Sequence, residues 1–223
     1  MIALNFGGKR PDGTRTISLV NSLDKPVFSN FFGQSSFSKL AIVSGSSLVP
    51  VPPETDLQLM APLGCGLQTG AGAILNALDM KPGGSVAIFG AGCVGMSAIM
   101  AAKLRGAAVI IAVDVQPDRL TLARELGATH VFIGTDPDLI QTIQGVCQQH
   151  VGVEYALDCT GVTPVIESMI ESLCVRGKAA SVGAPSPGKK AGVDVFKFMT
   201  MGKQWIGCHQ GDCVAREVGV LPF

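Results

Sequence analysis

Aromatic and charged residues are both scarce in this chain of 223 residues. Aromatic residues make up 5% of the sequence and charged residues 15%, and 17 lysines and arginines balance 17 aspartates and glutamates, so the formal net charge is +0. A nucleic-acid-binding protein usually presents a basic surface to the phosphates and aromatic rings on which bases stack. The composition therefore predicts no nucleic-acid partner.

Long apolar runs are also missing, although hydrophobic residues make up 47% of the sequence. The longest run, Ala107–Val113, is far shorter than the roughly 20 residues that a membrane-spanning helix needs. The first ten residues show neither the charged start nor the apolar centre of a signal peptide. We therefore expect no membrane attachment and a cytoplasmic location, in which the seven cysteines stay reduced.

Residues 1–64 differ in composition from the rest of the chain. They are rich in glycine, serine, proline and phenylalanine, with strand-like pieces at Thr16–Val20 and Phe37–Val43 and turn signals such as Pro11-Asp12-Gly13. No helix of ordinary length is expected before the proline-rich stretch Val49–Pro53 ends. We interpret this segment as an irregular β-rich region that cannot close a hydrophobic core by itself.

A regular alternation of short apolar strands and helical segments begins at residue 65. The predicted strands are Ser85–Phe89, Ala108–Val113, His130–Ile133, Val153–Leu157, Lys178–Val182 and Gln204–Cys208. The predicted helices are Gly66–Ala77, Val94–Leu104, Asp118–Leu126 (ended by Gly127), Leu139–Gln148, Thr163–Leu173 and a turn at Val193–Met199. Because such units cross over right-handed, this order predicts an α/β fold, a doubly wound parallel sheet (Rossmann) with helices on both faces.

The first predicted strand runs directly into Gly90-Ala91-Gly92-Cys93-Val94-Gly95, which matches G-x-G-x-x-G. In a dinucleotide-binding loop, Gly90 would permit the tight turn and Gly92 would let a pyrophosphate approach the backbone. Gly95 would let the helix pack closely against the strand. The N–H groups at the start of that helix would then face the negative charge of the pyrophosphate.

Asp114 ends the second predicted strand about 20 residues beyond this loop, where the acid that binds the adenosine ribose is expected. A carboxylate there accepts hydrogen bonds from both ribose hydroxyls and repels a 2′-phosphate. Strand, loop, helix and acid together predict a dinucleotide site that prefers NAD over NADP, with Arg119 as the nearby cation that opposes this preference. The alternative is a glycine turn that caps a core helix, with Asp114 as a surface residue.

The phosphate loop and the stretches around it resemble a known family. The stretches that carry the resemblance are Asn5–Gly13, Phe32–Phe37, Leu63–Gly70, Lys81-Pro82-Gly83, the loop itself and Glu125–Thr129. They make the chain similar to zinc-dependent medium-chain alcohol dehydrogenases, and most closely to the aryl- or benzyl-alcohol branch. The resemblance implies three segments: residues 1–64 from a β-rich (GroES-like) catalytic domain, residues 65–210 as the dinucleotide-binding domain, and residues 211–223 as the start of a return to the catalytic domain.

The resemblance also implies roles for residues at matching positions. Cys65 would be one ligand of the catalytic zinc, and Phe31 and Phe32 would line the substrate pocket. NAD would contact Thr69, Gly90, Gly92, Cys93, Val94, Gly95, Asp114, Arg119, Cys159, Thr160, Gly183, Ala184 and Pro185. The substrate would be an alcohol or aldehyde, expected to be an aromatic primary alcohol. A second copy of the chain would join through the edge strand near Gln204–Cys208 to form a homodimer.

The zinc site that the resemblance implies is incomplete in this sequence. Catalytic zinc in such enzymes is held by two cysteines and one histidine, with the fourth position open. The family's other cysteine, its Gly-His-Glu histidine and its four-cysteine structural lobe have no counterpart here, and we expect the chain to be truncated at both ends relative to the family. Cys208, His209 and Cys213 are not expected to replace them, because neighbouring strand residues point to opposite faces.

Three hypotheses about function follow from these observations. The first is NAD-dependent oxidation of an alcohol to its aldehyde, zinc-dependent in the intact family. The second is a non-catalytic NAD-binding module, which binding without turnover would support. The third is a zinc-free quinone or enoyl reductase of the same superfamily, which would not need Cys65.

Single cysteine and histidine residues also have ordinary structural interpretations. A lone cysteine such as Cys65 is more often a buried small hydrophobic residue than a ligand. His130 and His150 are interpreted as surface or strand-edge residues.

Overall fold

The computed structural model describes residues 48–147 and 151–214 without a break, together with residues 12–14, 19, 21, 22, 25, 39–41, 43 and 45. The chain divides into two compact units, Met1–Val51 and Pro52–Phe223. In the first unit, an antiparallel bridge joins Leu19 and Ser22. Phe31, Phe32 and His150 lie outside the described residues, as do four of the five residues of the strand predicted at Thr16–Val20. Residues 39–41 and 43 of the strand predicted at Phe37–Val43 are described, and none of them belongs to a strand.

Six parallel strands form one sheet in the second unit. They are β1 Ser85–Phe89, β2 Val109–Asp114, β3 His130–Ile133, β4 Val153–Asp158, β5 Leu173–Ser181 and β6 Gln204–Gly207. Their spatial order is β3-β2-β1-β4-β5-β6. Strand β1 therefore lies in the middle of the sheet, with β2 and β3 on one side of it and β4, β5 and β6 on the other. The predicted doubly wound parallel sheet is confirmed.

Helices connect these strands and precede the first of them. They are α1 Leu57–Met60, α2 Gly66–Gly72, α3 Cys93–Leu104, α4 Pro117–Leu126, α5 Leu139–Val146, α6 Thr163–Glu171 and α7 Val195–Thr200. A π-helical turn, Ala73–Ala77, continues α2, and 3-10 turns occupy Ala61–Gly64 and Gln210–Asp212. Within the described ranges, no helix combines the length and the apolar character needed to cross a membrane.

Strand β1 is buried along its whole length because helices cover both faces of the sheet. Val86 and Ile88 lie in one hydrophobic cluster together with Ile99 of α3. Ala87 and Phe89 point the other way, into a second cluster that contains buried residues of α5 and α6. This alternation follows from the two-residue period of a strand, and it explains why the strands are continuous apolar runs.

The main departure from the predicted elements lies between α6 and β5. The helix predicted over Thr163–Leu173 ends at Glu171, because Leu173 already belongs to β5 and pairs with Val153. Strand β5 is interrupted by Arg176, whose φ is +61°, and its register against β4 shifts. The interruption breaks the alternation of side chains, so only the later part of the strand was predicted. Helix α5 also ends two residues early, and α1 was not predicted.

Buried and exposed residues on the same helix provide a test of this packing. Ile99 of α3 is fully buried, whereas Leu104 of α3 is 60% exposed. We expect Ile99→Ala to lower the free energy of unfolding by about 2–5 kcal/mol, because a cavity replaces buried methyl groups. Leu104→Ala should change it by less than about 0.5 kcal/mol. Urea unfolding of the whole chain measures both, and equal midpoints for the two variants would show that the faces of α3 are assigned wrongly.

Candidate functional site

The carboxyl ends of β1 and β4 lie side by side where the order of the strands reverses. The loop after β1 leads to α3 on one face of the sheet, and the loop after β4 leads to α6 on the other face. Two loops that leave in opposite directions open a crevice between them. In doubly wound sheets, ligands bind in this crevice.

The loop after β1 turns sharply and brings α3 against the end of the strand. Gly90 has a φ of +97°, which favours glycine, and its N–H donates to the carbonyl oxygen of Val113 at 2.7 Å. A Cβ on Gly95 would lie 1.8 Å from the carbonyl oxygen of Gly90, so no side chain fits there. A Cβ on Gly92 would meet no atom within 4 Å. The described residues thus leave the space beside Gly92 open.

Helix α3 begins at this open space without a side-chain cap. Its N-cap residue is Gly92, which has no side chain to accept a hydrogen bond from the first turn. The first N–H groups of a helix lack partners within the helix, and they bind anions readily because the helix dipole adds a partial positive charge. The start of α3 is therefore a suitable site for a phosphate group.

Asp114 at the end of β2 is a structural part of the phosphate loop. Its side chain is only 5% exposed. Oδ2 accepts a hydrogen bond from the N–H of Ala91 at 2.7 Å, and Oδ1 accepts one from the N–H of Gln116 at 2.9 Å. Arg119 Nη1 lies 3.6 Å from Oδ2, while the Arg119 side chain is 55% exposed. The alternative interpretation of Asp114 as a surface residue is therefore wrong.

The turns after β4 and β5 meet next to the phosphate loop. A Cβ on Gly183 would lie 2.0 Å from the backbone nitrogen of Gly161, and one on Gly161 would lie 2.9 Å from the carbonyl carbon of Ala184. On the other side, a Cβ on Gly90 would lie 2.8 Å from Cγ2 of Thr160. The structure thus brings together the three loops in which cofactor contacts were predicted.

Helix α2 packs against the start of α3 through positions without side chains. A Cβ on Gly70 would lie 2.0 Å from the carbonyl oxygen of Val94, and one on Gly66 would lie 2.6 Å from Cys93 Sγ. Thr69 on α2 is buried at 8% exposure. Cys65, which directly precedes α2, is exposed, so it is not a buried small hydrophobic residue. The predicted residues of α2 are therefore held close to the phosphate loop.

The thiols of Cys159 and Cys208 have raised pKa values. Burial raises the pKa of the Cys159 thiol well above its usual range, and the neighbouring charges of Asp158 and Cys208 add to the effect. Burial, followed by the charge of Asp212, raises the pKa of Cys208 to about 11. Both side chains therefore stay protonated near neutral pH in the metal-free chain.

The residues that the structure describes do not by themselves fit a catalytic zinc ion. Such a site needs three protein ligands. Cys65 is the one zinc ligand that was predicted in this chain, and it lies among the described residues. In the described part of the chain, no group of three or more His, Cys, Asp and Glu side chains is arranged to hold a metal ion. The loops predicted to contact the cofactor thus meet at one place, whereas the described residues bring no set of metal ligands together.

Sequence reasoning missed one acid at this edge of the sheet. Asp158 ends β4, is completely buried, and accepts a hydrogen bond from the N–H of Thr160 at 2.8 Å. The available signal was the Asp-Cys-Thr-Gly stretch after an apolar strand, because aspartate before a turn often bonds to the backbone two residues on.

Comparisons with known proteins agree with this geometry. A probable alcohol dehydrogenase from a Pseudomonas species is 38% identical over 214 residues, which cover 94% of this chain and 66% of that protein. The geraniol dehydrogenase of Castellaniella defragrans is 42% identical over 192 residues, covering 84% of this chain and 49% of that protein. The chain therefore spans about half to two thirds of the length of these relatives.

Solved structures and a family model lead to the same group. The alcohol dehydrogenase zinc-binding domain protein from Burkholderia ambifaria is 44% identical, with a TM-score of 0.87 over 97% of this chain and 58% of that one. The benzyl alcohol dehydrogenase from Acinetobacter calcoaceticus is 38% identical, with a TM-score of 0.85 over 96% of this chain and 56% of that one. Residues 93–222 match the model of the zinc-binding dehydrogenases, and the chain belongs to that family.

Proposed function

We propose that this chain binds NAD in the crevice between β1 and β4 and forms the cofactor-binding part of an NAD-dependent alcohol dehydrogenase. The observation that carries the proposal is the carboxylate of Asp114, held beside the uncapped first turn of α3. Two of the groups that a dinucleotide needs, an acceptor for ribose hydroxyls and N–H donors for pyrophosphate, thus lie next to each other.

The bound dinucleotide would lie across the carboxyl edge of the sheet. Its pyrophosphate would accept hydrogen bonds from N–H groups of Cys93, Val94 and Gly95, and its adenosine ribose would donate to Asp114. A carboxylate oxygen has room for more than one hydrogen bond, so the bonds to Ala91 and Gln116 leave capacity for the ribose. The nicotinamide would reach the turns after β4 and β5. When bound, NAD supplies the hydride acceptor, and these residues fix its position.

The names of the relatives support an alcohol as substrate. Relatives that share 38% to 42% of aligned residues act on geraniol and benzyl alcohol, as their names state. We infer a primary alcohol, and an aromatic one by similarity to the benzyl alcohol dehydrogenase. Phe31 and Phe32 stay predicted pocket residues and Cys65 a predicted zinc ligand. Among the described residues, we identify no group that would activate the alcohol oxygen.

A second candidate function is a binding module that holds NAD without turning it over. It is favoured by the contrast between the complete set of cofactor loops and the lack of a metal-binding cluster among the described residues. Titration of the purified chain with NADH, followed by an assay with benzyl alcohol and NAD, separates the candidates. Binding with turnover supports the dehydrogenase, and binding without turnover supports the module.

We also propose that two copies of the chain form a dimer through β6. Within the described sheet β6 is an edge strand, and Cys208 N–H donates to Ser181 on β5, so the N–H groups of alternate residues such as Trp205 face the open edge. Helix α7, which precedes β6, exposes Val195, Phe196 and Met199 by 73%, 74% and 67%. An open edge beside exposed apolar side chains suits a second copy of the same strand.

Substitution of Asp114 tests the choice of cofactor. We expect Asp114→Ala to raise the Kd for NADH about tenfold, because hydrogen bonds to a charged group contribute about 1.5–3 kcal/mol. The ratio of the Kd for NADPH to the Kd for NADH should fall, because the charge that repels the 2′-phosphate is gone. Fluorescence titration with both cofactors measures this. Glu125→Ala, which removes an exposed acid at the far end of α4, is the matched control. An unchanged ratio of the two Kd values would show that the wrong acid was chosen.

Substitution of Arg119 should act in the opposite direction. Its guanidinium lies beside Asp114 and partly offsets the negative charge there. We expect Arg119→Ala to raise the ratio of the Kd for NADPH to the Kd for NADH about two- to fivefold. This corresponds to the contribution of an exposed ion pair, about 0.2–1 kcal/mol. The effect should shrink at high ionic strength. Arg124→Ala removes an exposed arginine from the same helix and should leave the ratio unchanged. A lower ratio of these two Kd values in Arg119→Ala would show that Arg119 does not offset the charge of Asp114.

Light scattering after size-exclusion chromatography tests the dimer. We expect the chain to elute with twice its own mass and Phe196→Lys to elute as a monomer, because a charge would then lie in the apolar interface. Leu122→Lys is the control, since Leu122 is 45% exposed on α4, away from β6. If Phe196→Lys stays dimeric, the interface lies elsewhere.

A further inference from the structure

Asp158 at the end of β4 is a completely buried acid. Proteins rarely bury a carboxylate unless it is paired with a cation or fully hydrogen-bonded, because removal from water is costly. Among the described residues, no lysine, arginine or histidine lies within ion-pair distance of it. Its hydrogen bonds must therefore explain its burial.

Among the described residues, those hydrogen bonds come from the turn that follows β4. Oδ1 accepts from the N–H of Thr160 at 2.8 Å, from the hydroxyl of Thr160 at 2.7 Å and from the N–H of Gly161 at 3.2 Å. Oδ2 also lies 3.3 Å from the nitrogen of Gly161. The Thr160 hydroxyl in turn accepts from the N–H of Val162 at 3.0 Å. One carboxylate thus fixes the backbone of residues 160–162.

The main chain of Asp158 holds a second turn at the same time. Its carbonyl oxygen accepts hydrogen bonds from the N–H groups of Val182 at 3.0 Å and Gly183 at 3.2 Å, just after β5. The two turns touch without room for a side chain, since a Cβ on Gly183 would lie 2.0 Å from the nitrogen of Gly161. Asp158 is therefore the common support of both turns.

We propose that Asp158 is a positioning residue for the nicotinamide half of the dinucleotide; this rests on the proposed function. Asp114 follows β2 on one side of the point where the strand order reverses, and Asp158 follows β4 on the other side. A dinucleotide whose adenosine ribose lies at Asp114 extends across the crevice to the turns that Asp158 supports. Asp158 is too deeply buried to touch the cofactor and acts through Thr160 and Gly161.

The test compares two ligands that share the adenosine half. ADP contains the adenosine ribose and a diphosphate but no nicotinamide. We expect Asp158→Ala to raise the Kd for NADH about tenfold, since several charge-assisted hydrogen bonds are lost, and to leave the Kd for ADP unchanged within about twofold. Asp114→Ala, the matched comparison, should weaken both ligands. A merely structural role for Asp158 would also weaken both ligands, so equal losses, or no loss for NADH, would overturn the proposal.

Two milder variants keep the test decisive if Asp158→Ala does not fold. Asp158→Asn keeps one acceptor oxygen for Thr160 and Gly161, so it should retain most of the affinity for NADH. Thr160→Val removes one hydroxyl with little change in shape and should weaken NADH a few fold while sparing ADP. NADH affinity equal to that of the unaltered chain in Thr160→Val would overturn the proposal. If the unaltered chain binds neither NADH nor ADP, the proposed NAD site itself is wrong.

Discussion

The carbonyl oxygen of Gly90 occupies the space into which a side chain at residue 95 would project, at 1.8 Å from the position of a Cβ. This contact requires glycine, and it lets α3 start directly at the end of β1. The N–H of Gly90 is meanwhile bound to Val113, and the N–H of Ala91 is bound to Asp114. The end of β2 therefore fixes the loop from the other side, and the uncapped start of α3 must face the crevice.

Two buried acids organise the two halves of this crevice in different ways. Asp114 reaches from β2 to the loop after β1, and the residue as a whole is 7% exposed. Asp158 supports its own turn and the turn after β5 and is fully buried. Both direct their carboxylates to backbone N–H groups, which compensate the charge without a buried cation. Because a small part of the Asp114 side chain is exposed, a ligand in the proposed site would be able to contact it directly. Asp158 can influence a ligand only through the backbone that it holds.

The sequence was sufficient to predict the features that depend on local patterns. Apolar strands followed by helices predicted the sheet, and the glycine spacing predicted the tight turn from β1 into α3. The cofactor roles of this loop and of Asp114 stay predictions. The start of β5 was missed because Arg176 interrupts the alternation of side chains. The role of Asp158 and the contact of Gly161 with Gly183 were missed because they arise only when β4 and β5 lie side by side. Such contacts leave no periodic signal in a single sequence.

The packing of α2 on α3 connects the cofactor site to the chemistry that a dehydrogenase would need. Hydride transfer requires the donor carbon and the nicotinamide at a fixed short distance, because positioning supplies much of the rate. Gly70 and Gly66 let α2 approach the phosphate loop so closely that Cβ atoms would meet Val94 and Cys93. The hydroxyl of Ser97 on α3 also donates to the carbonyl oxygen of Leu67 at 2.5 Å. Cys65, which directly precedes α2, is therefore held in a defined place relative to the proposed cofactor site, and its role as a metal ligand stays a prediction.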